Sequence, residues 1–231
     1  MLIVAHRGYS AAYPENTALA FERAIEAGAD FIETDVRFTR ERALVCSHDP
    51  DLRRVAGDAR PIAEMTLEEI KEIRFAGRME VLTLEEVLEI ARGRVQVMLD
   101  VKVTTPEMVE AIASSLERIA MLDQVVYGAR SVEHMRSVAG RCPGVAILGM
   151  PKAPALAPEF LAHPLRAIRY WEDEVTPERV TLVTRAGREV WVTAGLRPRQ
   201  EAPGYTTAAR ASALAASGVH ALLVNDPTIG R

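Results

Sequence analysis

The stretch FIETDVR, residues 31–37, does not fit an ordinary buried strand. Its aromatic and β-branched positions favour sheet, but side chains alternate along a strand, so Phe31, Glu33, Asp35 and Arg37 share one face. Two carboxylates two residues apart then point the same way. Burying them unpaired costs several kcal/mol each, so the stretch requires something cationic in front of it.

A second run repeats the oddity. In VQVMLDVK, residues 95–102, the aliphatic Val95, Val97, Leu99 and Val101 form one face, and Gln96, Met98, Asp100 and Lys102 form the other. If the aliphatic face packs on helices, Asp100 and Lys102 turn toward the opposite side, near the end of the strand. Glu33, Asp35 and Asp100 are hard oxygen donors with no sulfur or clustered imidazole beside them. That set suits Mg²⁺ or Ca²⁺ rather than zinc or copper. An internal salt-bridge network with Arg7, Arg37 and Lys102 is the competing explanation.

Eight short apolar runs recur along the 231 residues: LIVA, FIETDV, VQVMLDV, VVYGA, VAILGM, RAIRY, EVWVT and HALLVN. The mean spacing of about 29 residues is that of one strand–helix unit, and the alternation predicts a single-domain α/β fold, a (β/α)8 TIM barrel over residues 1–231. Helical patterns fill the gaps. NTALAFERAIEAGA places Phe21, Ala24, Ile25 and Gly28 on one face, with Asn16 or Thr17 as the N-cap. TLEEIKEI and TLEEVLEIA open on Thr66 and Thr83, each followed three residues later by a glutamate, the capping-box spacing. The proline-bearing stretch 151–164 and the polar stretch 195–204 follow strand runs, which in a barrel puts them on the face that carries function.

Composition narrows the function. Hydrophobic residues make up 48% and charged residues 26%, and the net charge is −4, with no basic stripe for a nucleic acid and no lysine block for an anionic membrane. A small diffusible substrate fits better. The two cysteines, Cys46 and Cys142, belong to no metal-binding or disulfide pattern and read as reduced thiols. The chain starts on MLIVAHRG with no basic leader or long apolar segment, which predicts a cytoplasmic protein without stable membrane insertion.

His6 ends the first strand run and His48 follows ALVCS, so both fall where a barrel places reactive groups. Two imidazoles beside acidic positions form a natural acid/base pair, since the ordinary histidine pKa of about 6.5 serves both roles near neutrality. Arg7 can grip a phosphate or carboxylate with its planar fork, and Gly8 lets backbone approach closely.

These residues converge on a known pattern. The segment VAHRGYSAAYPENTALAFERAIEAGADFIETDVRFTRERALVCSHDPDLRRVAG strongly resembles the opening of the glycerophosphodiester phosphodiesterases, in the order HRG, PENT, a helix ending in GAD, an E-x-D strand and HD. TLEEVLE, the D-x-K strand, RAGREVWVT and GVHALLVNDP continue in that family's order. The resemblance implies a TIM barrel that uses a divalent ion, Mg²⁺ or Ca²⁺, to hydrolyse a glycerophosphodiester into glycerol phosphate and an alcohol. It implies His6 and His48 as the acid/base pair, and Glu33, Asp35 and Asp100 as metal ligands. Arg7 and Lys102 become phosphate contacts, Asn16 a residue that steadies the site, and Trp191 a substrate-binding aromatic. Asp100 stands where glutamate is common, one methylene short, and Trp191-Val192-Thr193-Ala194 lacks the asparagine of the W-T-V-N pattern. On the same fold, a lysophospholipase D or a lyase that forms a cyclic phosphate from a phospholipid is one rival; the apolar PALAPEFLAHP is its candidate lipid contact. A noncatalytic phosphodiester-binding module is the other.

Overall fold

The computed structural model describes residues 1–75 and 80–229. Each of the eight apolar runs forms a strand: β1 (Leu2–Ala5), β2 (Phe31–Phe38), β6 (Gln96–Val101), β7 (Val125–Ala129), β8 (Ala146–Gly149), β9 (Ala167–Trp171), β10 (Glu189–Thr193) and β11 (Ala221–Val224). All eight run parallel, and pairing of β1 with both β11 and β2 closes the sheet into a barrel. Closure leaves these strands no free edge.

Period-two alternation sorts the side chains into two cores. Val97, Leu99 and Val101 face outward and join a large shell between sheet and helices that also holds Phe21, Leu88 and Ile112. Inside the barrel, Val4, Phe31, Met98, Val126, Leu148 and Trp191 pack together. This inner plug makes the barrel a filled core rather than a pore.

The helices start where the sequence places their caps. Thr17 caps α1 (Ala18–Glu26) by accepting a hydrogen bond from the Ala20 amide, which leaves Asn16 free for another role. Thr66 and Thr83 close full capping boxes on α3 (Leu67–Glu72) and α4 (Leu84–Ala91) with Glu69 and Glu86. The outer ring continues with α5 (Pro106–Arg118), α6 (Val132–Arg141), α8 (Pro177–Arg185) and α9 (Ala208–Ala216). The proline-bearing stretch after β8 is more ordered than a loop: it folds a 3-10 turn at Pro154–Leu156 and the short α7 (Ala157–Leu161). Prolines sit in the first turn of each, where a missing N–H costs nothing. Ala157 and Phe160 of PALAPEFLAHP are buried in the outer shell, while Ala155, Pro158 and Ala162 stay exposed.

One departure from a plain barrel matters for the site. β2 runs on to Phe38, and the chain then returns antiparallel through β3 (Leu44–Cys46), with Val36 opposite Cys46. The hairpin of β4 (Asp51–Leu52) with β5 (Asp58–Pro61), joined by the four-residue α2 (Arg53–Ala56), follows it. Val45, Leu52, Ile62, Met65 and Ile70 give this excursion a small core of its own. Both cysteines are free and buried, Cys46 with its thiol pushed by burial up to about 12. Among the described residues no helix is long and apolar enough to cross a membrane.

Gly8 fixes how the first strand–helix turn packs. Its φ is +80°, and a Cβ there would meet the Ala20 carbonyl carbon at 2.6 Å. The left-handed conformation alone costs an L-residue about 1–2 kcal/mol. Gly8→Ala should therefore lose at least about 2 kcal/mol, a Tm fall of roughly 4–8 °C by calorimetry for a chain of this size; an unchanged Tm would show that the turn and α1 can separate freely.

Candidate active site

The two odd strands meet in register. Asp35 of β2 is the Cα partner of Asp100 of β6, and Glu33 lies one inward step below Asp35. Carboxylate oxygens of Glu33, Asp35 and Asp100 all lie within 4.8 Å of one another. Glu33 and Asp35 are buried, while Asp100 is partly open to the barrel mouth.

The chain answers this charge with three cations. Lys102 places Nζ 2.8 Å from Asp35 Oδ1 and 2.7 Å from Asp100 Oδ2, bridging the two. Arg7 sets Nε 3.2 Å from Asp35 Oδ2 and reaches Glu15 at 3.1 Å. Arg130 holds Asp100 through Nη2 and bonds the Val101 carbonyl through Nε. For Glu33, among the described residues, a backbone group serves: the Arg7 amide donates to Oε2 at 2.9 Å. That amide is aimed by consecutive left-handed residues, Arg7 at φ 55° and Gly8 at φ 80°.

Protonation follows this uneven supply. Burial first, then the neighbouring Asp35 and Asp100, raises the Glu33 carboxyl well above the ordinary range. Burial also raises Asp100, but Lys102 and Arg130 overcome it and hold the group down to about 2. Lys102 is raised by the two aspartates against the opposing effect of burial. The cluster is thus short of positive charge at Glu33, its most deeply buried carboxylate. Three convergent carboxylates without nitrogen or sulfur donors fit a hard divalent ion there.

Asn16 positions Asp35 rather than facing the cavity. Its Nδ2 donates to Asp35 Oδ2 at 3.2 Å, Thr34 Oγ1 donates to its Oδ1 at 2.9 Å, and its own amide donates to the Arg7 carbonyl at 3.0 Å. Arg37, expected as a partner of the carboxylates, does something else. Its guanidinium donates to the carbonyls of Ser47 and His48, at 2.5–3.2 Å, and so anchors the end of the antiparallel excursion against the barrel mouth.

That anchor delivers the second histidine. His6 from the end of β1 and His48 from the excursion line one cavity of about 240 Å³ together with Arg7, Glu33, Asp100 and Lys102. His6 is buried, and its Nδ1 lies 2.7 Å from Asn225 Oδ1. Asn225 donates its Nδ2 to the Pro203 carbonyl, so Oδ1 is the acceptor and Nδ1 of His6 carries the proton. Nε2 is left as the free nitrogen. Burial, then the Arg7 charge, lowers His6 to about 4 and keeps it neutral near pH 7. His48 pairs Nδ1 with Asp49 Oδ1 at 2.8 Å, which likewise leaves Nε2 free.

Trp191 does not reach the cavity. It is 2% exposed, meets Phe31 edge-to-face at 5.0 Å, and donates its indole N–H to Glu189 in the barrel interior. The aromatic at the cavity wall is Trp171, two positions on from Arg169, with Arg169 stacked at 4.8 Å from its ring centre. Arg130, Arg169, Trp171 and Asn225 were not predicted from the sequence. For Arg169 and Trp171 a signal existed: in AIRYW they alternate with Ile168 and Tyr170, the same charged-face pattern that exposed Glu33.

Comparison with known proteins agrees with this geometry. A glycerophosphodiester phosphodiesterase of Bacillus altitudinis is 33% identical over 136 residues, covering 54% of this chain and 56% of that protein. One of Caldanaerobacter subterraneus subsp. tengcongensis is 33% identical over 158 residues, covering 63% and 65%. The matches thus span less than two thirds of these relatives' own length. Among solved structures, the glycerophosphodiester phosphodiesterase of Agrobacterium tumefaciens superposes with a TM-score of 0.82 at 26% identity, over 99% of this chain and 98% of that one. An Oleispira antarctica phosphodiesterase, solved with the product sn-glycerol-3-phosphate, shares the fold at 21% identity and a TM-score of 0.82, over 99% and 94%. The family model for glycerophosphoryl diester phosphodiesterases matches residues 6–142, more than half of the sequence, and the chain belongs to that family.

Proposed function

We propose that the chain is a divalent-cation-dependent phosphodiesterase that hydrolyses glycerophosphodiesters to glycerol phosphate and an alcohol. The observation that carries this reading is the sharing of one cavity by His6, His48, Glu33 and Asp100, with the buried Asp35 carboxylate within 4.8 Å of the other two. Glu33, Asp35 and Asp100 would hold Mg²⁺ or Ca²⁺, which supplies charge stabilisation for the phosphoryl oxygens.

The remaining work belongs to side chains of this protein. Arg7 and Lys102, already held by carboxylates at the cavity edge, draw the diester anion in and fix its orientation. His6 is the proton acceptor: it is neutral, its Nδ1 proton is committed to Asn225, and Nε2 can take a proton from the attacking hydroxyl or water. His48, oriented by Asp49, is the donor that returns a proton to the departing alkoxide. Two proton carriers facing one cavity are what turnover needs and binding alone does not, which favours an enzyme over a binding module.

Release of glycerol phosphate from a panel that includes glycerophosphocholine should require added Mg²⁺ or Ca²⁺ and stop with chelator; no metal-dependent turnover across the panel would refute the reading. His6→Ala and His48→Ala should each lower kcat by about 10²–10⁴-fold with little change in KM. Unchanged rates would remove the pair from the reaction. Because His6 must be neutral to accept a proton, the acid limb of kcat/KM should fall as pH drops through about 4 rather than through the ordinary histidine range. A limb near 6.5 would contradict that environment.

Glu33 gives a second pH signature. Its folded-state pKa lies above its unfolded value, so stability present below about 4.5 is lost as pH rises toward and through the raised value. In chelator at pH 7, Glu33→Gln should therefore raise Tm, by about 2–4 °C for each kcal/mol of relieved repulsion, and flatten the loss of stability between pH 5 and 7. A lower Tm in the variant would contradict the charge deficit at Glu33.

A further inference from the structure

Four lysine and arginine side chains line the cavity, and three of them are spent on carboxylates. Arg7 pairs with Glu15 and Asp35, Lys102 with Asp35 and Asp100, and Arg130 with Asp100. Arg169 differs. Among the described residues it has no ion pair, and its buried Nε has no hydrogen-bond partner. What holds it is the Trp171 ring at 4.8 Å. That ring also carries Arg197 at 5.3 Å, itself paired with Asp173 and Glu174.

The position of Arg169 matters as much as its lack of a partner. Around the barrel the strands follow the order β1, β2, β6, β7, β8, β9, β10, β11 and back to β1. β9 is therefore four strands from β2 in either direction, so Arg169 faces the cavity from the wall opposite Glu33 and Asp35. A diester whose phosphate sits at the carboxylate cluster has two organic arms, and one that crosses the cavity would end at that wall. A guanidinium removed from water without a counter-charge is costly, and its planar fork is shaped for two oxygens of a phosphate or carboxylate.

We propose that Arg169, held on Trp171, is a second anion-binding subsite that selects diesters whose alcohol carries its own phosphate or carboxylate. This inference rests on the phosphodiesterase reading above and names its substrate class. The subsite completes a charge pair only when the substrate arrives. It therefore acts through affinity for the charged arm rather than through the proton transfers at His6 and His48.

The test uses two matched pairs of substrates with metal present: glycerophosphoinositol 4-phosphate against glycerophosphoinositol, and glycerophosphoserine against glycerophosphoethanolamine. Within each pair only the added phosphate or carboxylate differs, so the pairs separate the two anion types. The protein should favour the more anionic member of at least one pair by about 10-fold in kcat/KM. Arg169→Gln should erase that ratio by raising KM for the charged substrate, and Arg169→Lys should restore most of it. Thermal melts of both variants should show that each is folded. Turnover of both pairs without preference would overturn the subsite and leave the phosphodiesterase reading intact, as would an Arg169→Gln variant that lowers charged and uncharged members in parallel. No turnover of any of the four diesters would overturn the subsite, and the phosphodiesterase reading with it only if glycerophosphocholine is left intact as well.

Discussion

Three carboxylates forced within 4.8 Å of one another at the mouth of a barrel are the constraint around which this molecule is arranged. Like charges so close and so poorly hydrated repel strongly. The register of β2 on β6 brings them together, because Asp35 and Asp100 are direct partners across a parallel ladder. A slip of one residue would turn either carboxylate into the aliphatic outer shell, so the same hydrophobic alternation that builds the barrel also fixes the cluster.

The surrounding residues divide between relieving that charge and using it. Lys102 and Arg130 stabilise Asp100 well enough to keep it ionised against burial, and Asn16 and Arg7 both reach Asp35 Oδ2, at 3.2 Å each. Glu33 receives one backbone N–H and is left raised, so the deepest donor is the one that lacks a cation. This asymmetry is the argument for an added hard cation rather than a closed internal salt-bridge network. It also explains the strained turn at Arg7 and Gly8, whose left-handed geometry is the route by which the Arg7 amide reaches Glu33. Strain of this kind persists where surrounding structure over-determines it.

The barrel was legible because eight short apolar runs alternate with helical patterns at the spacing of one strand–helix unit, which leaves few other architectures. Glu33, Asp35 and Asp100 were legible because charge on an otherwise apolar strand violates local preference. What escaped was set by geometry rather than composition. His48 itself is legible, but its route is not: it reaches the cavity on an antiparallel excursion that Arg37 clamps through carbonyl groups, and a carbonyl partner leaves no mark in a sequence. Asn225 and Arg130 lie just past strand ends, where only the closing of the barrel shows which side chains meet. Trp191, expected at the substrate, meets Phe31 edge-to-face inside the barrel, while Trp171, with no role expected of it from the sequence, ends its strand at the cavity, although both belong to inward-facing rows. A one-dimensional pattern shows the face of a strand, not the height at which the barrel floor ends.

Titration of the purified chain with Mn²⁺, followed by the loss of free-ion signal in electron paramagnetic resonance, tests the central claim most directly. One tight ion per chain, weakened at least about 10-fold in Asp35→Asn and displaced by Mg²⁺ or Ca²⁺, is the predicted result. No stoichiometric binding, or binding indifferent to Asp35→Asn, would mean that Lys102, Arg7 and Arg130 already complete the cluster and that no divalent ion belongs there.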